Sequence, residues 1–82
     1  MFREKVLAVV AQIPRGKTLT YAQVAAQAGS PHAYRAVGSI LKQNFSGNIP
    51  CHRVIRSNGE PGKYNRGKTE KIRKLTSEGI KL

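Results

Sequence analysis

The 82-residue chain contains no Asp, and its only four acidic residues are Glu, against 15 Lys and Arg. With His neutral the formal charge is +11. That imbalance favours a polyanionic partner, nucleic acid ahead of an anionic membrane surface. There is one cysteine, Cys51, so no internal disulfide can form, and a lone thiol suits a reducing compartment. Two His and one Cys without Asp cannot supply an ordinary closed zinc site. The longest apolar run is short and broken by Gln12, so no membrane span is predicted. The first residues lack the layout of a signal peptide. Neither a GxGxxG nor a P-loop is present, and no internal repeat is visible. The length permits one small domain with a modest core.

Helical spacing of Phe2, Val6, Val9, Val10 and Ile13 predicts a first helix over 2–13, stopped by Pro14 and Gly16. Thr20 and Gln23 have capping-box spacing, with Leu19 and Val24 placed as a hydrophobic staple. A second helix should run from Tyr21 to Ala28 and end at Gly29. Ser30 as N-cap and Pro31 at the first position predict a third helix over Pro31–Lys42. Its Tyr34, Val37 and Leu41 should face the core. The opposite face carries His32, Arg35, Ser39 and Lys42, and Ala33, Ala36 and Gly38 keep the surface slim. Two short helices joined by Gly-Ser match a helix-turn-helix. A strand is expected over Cys51–Arg56, then a turn at Ser57-Asn58-Gly59. Thr69 should cap a last helix that stops at Gly79, with Ile72 and Leu75 inward and Lys71, Arg73 and Lys74 outward.

Pro50 fixes the backbone before the thiol, and His52 and Arg53 place donors and positive charge beside it. An inert buried thiol and a reactive one both remain open on these residues alone.

The run Ile49-Pro50-Cys51-His52-Arg53-Val54-Ile55 resembles the active-site signature of the O6-alkylguanine-DNA alkyltransferases. Further matches follow in the family's order. Thr20-Tyr21-Ala22-Gln23-Val24-Ala25 resembles the first helix of its helix-turn-helix. Tyr34-Arg35-Ala36-Val37-Gly38 resembles its recognition helix, Gly62-Lys63-Tyr64-Asn65 the loop over the base, and Ser77-Glu78-Gly79 the terminal motif. The resemblance covers nearly the whole chain. It implies a mainly α fold: a small single domain over 1–82, with a winged helix-turn-helix-like core, a short strand carrying Pro50–Arg53, and a C-terminal helix.

By that resemblance, Cys51 is the nucleophile that attacks the alkyl carbon on guanine O6 and keeps the alkyl group, each molecule reacting once. His52 would act as base through water, Glu78 would orient His52, and Tyr21 would donate a hydrogen bond to the leaving guanine. Arg35 would replace the extruded nucleotide in the stack. Ala33, Tyr34, Ala36, Gly38, Ser39 and Lys42 would lie in the minor groove, and Arg53 is grouped with these DNA contacts. Backbone groups of Cys51, Val54 and Asn65 would read the flipped base, beside Tyr64 and Lys63. Asn44 and Pro50 would be structural, although the segment from Asn44 to Cys51 is slightly shorter than usual. The family often carries a preceding domain, and here the chain begins on the first helix.

The implied partner is double-stranded DNA containing O6-alkylguanine, bound by a monomer without cofactor, metal or membrane. The implied location is cytoplasmic and nucleoid-associated in a prokaryote, or nuclear in a eukaryote. The compact single-domain form is also similar to the alkyltransferase-like proteins, which bind the lesion without accepting the alkyl group and mark it for downstream repair proteins. They usually replace the cysteine, which is present here. A plain helix-turn-helix regulator and a redox or metal role for Cys51-His52 are the remaining alternatives.

Overall fold

The computed structural model describes residues 1–43, 49–59 and 67–80. Asn44, Lys63, Tyr64 and Asn65, to which the sequence assigns roles, lie outside these described residues. The order is α1 (Phe2–Ala11), β1 (Leu19–Thr20), α2 (Tyr21–Gln27), α3 (Tyr34–Lys42), a 3-10 turn (Cys51–Arg53), β2 (Val54–Ile55) and α4 (Lys68–Ser77). The fold is mainly α, as expected. Among the described residues no helix is long and apolar enough to cross a membrane.

The apolar stripe of α1 puts Val6 and Val10 fully inside, with Ile13 just beyond the helix end. They meet Val24, Ala25 and Ala28 of the α2 segment, Val37 and Leu41 of α3, and Cys51 and Val54. α1 packs on both α2 and α3, which also pack on each other. The capping box at Thr20 forms as the spacing predicts: the Gln23 amide donates to Thr20 Oγ1 at 3.0 Å, and the Thr20 amide donates to Gln23 Oε1 at 2.8 Å. At the other end of α2, the Ser30 amide reaches back to the Ala25 carbonyl and the Gly29 amide to Ala26. Gly29 adopts φ +93 to make that closure, a conformation in which a side chain is strained.

β1 and β2 pair in parallel, Leu19 opposite Val54 and Thr20 opposite Ile55. This short pair ties the start of α2 to the segment just after the cysteine.

Several expectations are corrected. The third helix starts at Tyr34, not Pro31, and Ser30 does not cap it. The Ala33 amide instead donates to the Ser30 carbonyl at 2.9 Å, so residues 30–33 close a turn before the helix begins. Tyr34 is 47% exposed and does not face the core. Pro50–Arg53 is not carried on a strand; it enters a 3-10 turn, and the strand holds only Val54 and Ile55. Gly67, not Thr69, stands at the N-cap of α4. Lys71 is not on the outside; it is among the most buried side chains in the molecule.

Candidate active site and nucleic-acid groove

Cys51 is delivered by local backbone chemistry. The Pro50 ring fixes φ near −79, and with ψ 65 this is the centre of an inverse γ-turn, closed by the Cys51 amide on the Ile49 carbonyl at 2.8 Å. The Arg53 amide then bonds the Pro50 carbonyl at 3.0 Å, completing the 3-10 turn. Cys51 and His52 are thereby held against the core, 5% and 8% exposed.

α4 brings the carboxylate. Gly79, at φ +85, ends the helix: its amide bonds the Thr76 carbonyl, and the Ile80 amide bonds Leu75. Glu78 is left as the C-cap of the helix, its side chain turned back onto the 3-10 turn. Glu78 Oε2 lies 2.9 Å from His52 Nε2. Arg53 grips the same carboxylate with both prongs of its fork, Nε to Oε1 and Nη2 to Oε2. Its Nη1 donates to the Ile13 carbonyl at 2.8 Å. Arg15 adds a second tie, donating to the Ser77 carbonyl at 3.2 Å. The loop after α1 and the end of α4 are thus joined by two arginines.

Arg53 and, secondarily, His52 hold the Glu78 carboxyl down to about 2, against the opposing effect of burial. Burial pushes the His52 imidazole below its ordinary value, with the cations of Arg53 and Lys74 adding to the effect and Glu78 opposing it. At neutral pH, Glu78 is therefore an anion that can only accept, and His52 is neutral. The hydrogen bond then requires the proton on Nε2 and leaves a lone pair on Nδ1. Such an imidazole can take up a proton.

The residues read as a DNA face come together in a different place. An open groove of about 930 Å³ is lined by Tyr34, Arg35, Gly38, Ser39 and Lys42 of α3, by Tyr21 and Ala22 of α2, and by Arg56, Ser57 and Asn58 after β2. Three of the lining side chains are cationic and none is acidic, which suits an anionic backbone. Gly38 leaves room for the Tyr21 ring: a Cβ there would stand 4.0 Å from Tyr21 Cε1. Ala36 of α3 and Ala33 at its N-cap are outside the groove lining. Tyr21 links groove and thiol. It lines the groove, and its phenol is raised by burial, with Arg56 opposing and the Cys51 charge adding.

Arg53 is not in the groove. Its side chain is only 16% exposed and committed to Glu78 and Ile13. Val54 packs its side chain in the core and offers its carbonyl to Lys71. Sequence reasoning missed Arg56 as a groove residue and Lys71 as an interior one. The signal for Lys71 was present: it precedes Leu75 by four residues and so shares its face.

The model of the 6-O-methylguanine DNA methyltransferase DNA-binding domain matches residues 1–80. The methylated-DNA–protein-cysteine methyltransferase of Methanothermobacter thermautotrophicus is 50% identical over 82 residues, covering 99% of this chain and 46% of that one. The chain spans about half the length of the curated methyltransferases it matches most broadly. Among solved structures, Mycobacterium tuberculosis OGT in complex with DNA is 37% identical with a TM-score of 0.90, over 95% of this chain and 48% of that one. S. pombe Atl1, in complex with damaged DNA containing O6-carboxymethylguanine, is 35% identical with a TM-score of 0.89, over 98% and 77%. With the family model matching residues 1–80 and relatives and solved structures alike over nearly the whole chain, the chain belongs to the family of the 6-O-methylguanine DNA methyltransferase DNA-binding domain.

Proposed function

We propose that this chain binds duplex DNA carrying O6-alkylguanine and accepts the alkyl group on Cys51. The observation that carries the reading is the hydrogen-bonded chain from His52 through Glu78 to Arg53, anchored on the two residues that follow the cysteine in its 3-10 turn. In the step, Cys51 Sγ attacks the alkyl carbon, the S–C bond forms, and the C–O6 bond breaks with its electron pair going to the guanine. The thiol proton passes to His52, whose free lone pair is on Nδ1. Tyr21 donates its phenolic proton as a hydrogen bond to the departing ring and offsets its developing negative charge. The lesion reaches the site only outside the stack, and Arg35 takes its place with a planar, charged guanidinium. Lys42 and Arg56 hold the backbone from the same groove.

The test is mass spectrometry after incubation with a duplex containing O6-methylguanine. One methyl group should appear on the peptide containing Cys51, and Cys51→Ser should abolish that gain while still binding the lesion. Tight lesion binding with no mass gain overturns transfer. That outcome favours a second reading, a lesion sensor, which is supported by the similarity over 98% of this chain to Atl1 bound to damaged DNA.

A further inference from the structure

Lys71 is 1% exposed. Its Nζ donates to the Val54 carbonyl at 2.5 Å and to Tyr21 Oη at 3.3 Å, and it lies 5.5 Å from the centroid of the Tyr21 ring. An ammonium has three N–H donors and no lone pair. In this contact the phenol oxygen must therefore accept, and the phenol's own proton is turned toward another acceptor. Tyr21 also lines the groove. We propose that Lys71 is a positioning residue for Tyr21: its buried ammonium holds the phenol oxygen from the inside, so that the O–H donates on the groove side to the departing guanine. This rests on the transfer reading above.

Burial of a cation is unfavourable, and a methionine would fill the same space without that penalty. Packing alone therefore gives no reason for a lysine here. Among the described residues, the groups that face Lys71 or act on its partner include Tyr21 from α2, Cys51 from the 3-10 turn, the Val54 carbonyl from β2, and Arg56, whose charge reaches Tyr21. Burial brings the ammonium down to about 8, with the Cys51 charge opposing. It is still protonated at neutral pH. Above that value the neutral amine gains a lone pair and can accept the phenolic proton, which reverses the hydrogen bond and withdraws the donor from the groove.

The experiment measures single-turnover methyl transfer from an O6-methylguanine duplex by the native chain, Lys71→Met, Tyr21→Phe and the double variant, with lesion binding and thermal unfolding alongside. Lys71→Met should slow transfer about tenfold, as expected for loss of a hydrogen bond to a charged group, with lesion binding little changed. It should slow transfer hardly at all in the Tyr21→Phe background. The ratio of native to Tyr21→Phe rates should fall as pH rises through about 8. Equal slowing in both backgrounds, or a ratio flat across that pH, overturns the proposal. If Lys71→Met does not fold, the pH-dependent ratio, which needs no Lys71 variant, decides alone. Absence of transfer by the native chain overturns the transfer reading and this role with it, whereas transfer without coupling overturns only the role of Lys71.

Discussion

Arg53 and Glu78 meet through two parallel hydrogen bonds, Nε to Oε1 at 2.9 Å and Nη2 to Oε2 at 2.7 Å. Because the same carboxylate also receives His52, the arginine sets both the charge and the direction of the group that orients the imidazole. Arg53→Lys keeps the charge but offers no fork, and Arg53→Ala leaves a largely buried carboxylate without its main partner. We predict stability losses of about 1–2 kcal/mol for the lysine variant and about 3 kcal/mol for the alanine variant in urea unfolding. In the alanine variant the His52 titration, followed by NMR, should move upward as a neighbouring cation is removed. A lysine variant as stable as the native chain would refute the fork.

Acid should weaken the fold in two stages. His52 is held below its ordinary 6.5, so as pH falls below that value the unfolded chain binds a proton before the folded one does, and stability begins to drop. Glu78 is held down to about 2 from 4.5. Its contribution is complete above pH 4.5 and is lost as pH falls from there toward 2. After solvent screening of the pair this second stage amounts to about 2 kcal/mol. Urea midpoints between pH 7 and pH 3 measure both stages, and Glu78→Gln should remove the lower one. Lys71 adds a rise at the alkaline end, between about 8 and 10.5.

Phosphate contact from the groove has a salt signature. Changing Arg35, Lys42 or Arg56 singly to Gln should lower the slope of log affinity against log salt by about 1 each. The loss should be uniform over DNA sequences for Lys42 and Arg56. For Arg35 it should fall more heavily on lesion-bearing duplex if, as proposed above, that side chain also replaces the extruded nucleotide. A slope unchanged by all three substitutions would remove the groove from the DNA interface.

Gly38 sets stability against binding. A Cβ there makes only ordinary contact with Tyr21, so Gly38→Ala should raise stability by about 0.5–1 kcal/mol through helix propensity. Gly38→Leu would fill the groove beside Arg35 and should reduce DNA affinity in a titration at fixed salt, without unfolding the chain.

The parts of this molecule legible in its sequence are those governed by local rules. The Thr20–Gln23 capping box and the Gly29 and Gly79 helix stops depend on neighbouring residues and are observed where the spacing puts them. Ser30-Pro31 misled because an N-cap pattern cannot tell a helix start from the turn that precedes one. Cys51, His52 and Glu78 were legible through motif resemblance, and the contact of His52 with Glu78 is present. What Arg53 does was not legible, since its partners are 25 residues ahead and 40 behind. A surface assignment is the default for any arginine whose distant partners are unknown. Lys71 failed by the same default, although the spacing of its helix contradicted it.

The parallel pairing of Leu19 with Val54 has a consequence for the order in which the chain can fold. α1, α2 and α3 pack on one another within the first half of the sequence. The site, by contrast, is closed by links spanning 26 residues from His52 to Glu78, 50 from Lys71 to Tyr21 and 62 from Arg15 to Ser77. Such non-local closures carry the larger entropic penalty and come late in folding. A nascent chain still lacking α4 has its helix-turn-helix sequence complete but neither Glu78 nor Lys71. The cysteine therefore acquires its full surroundings only once the last helix has docked.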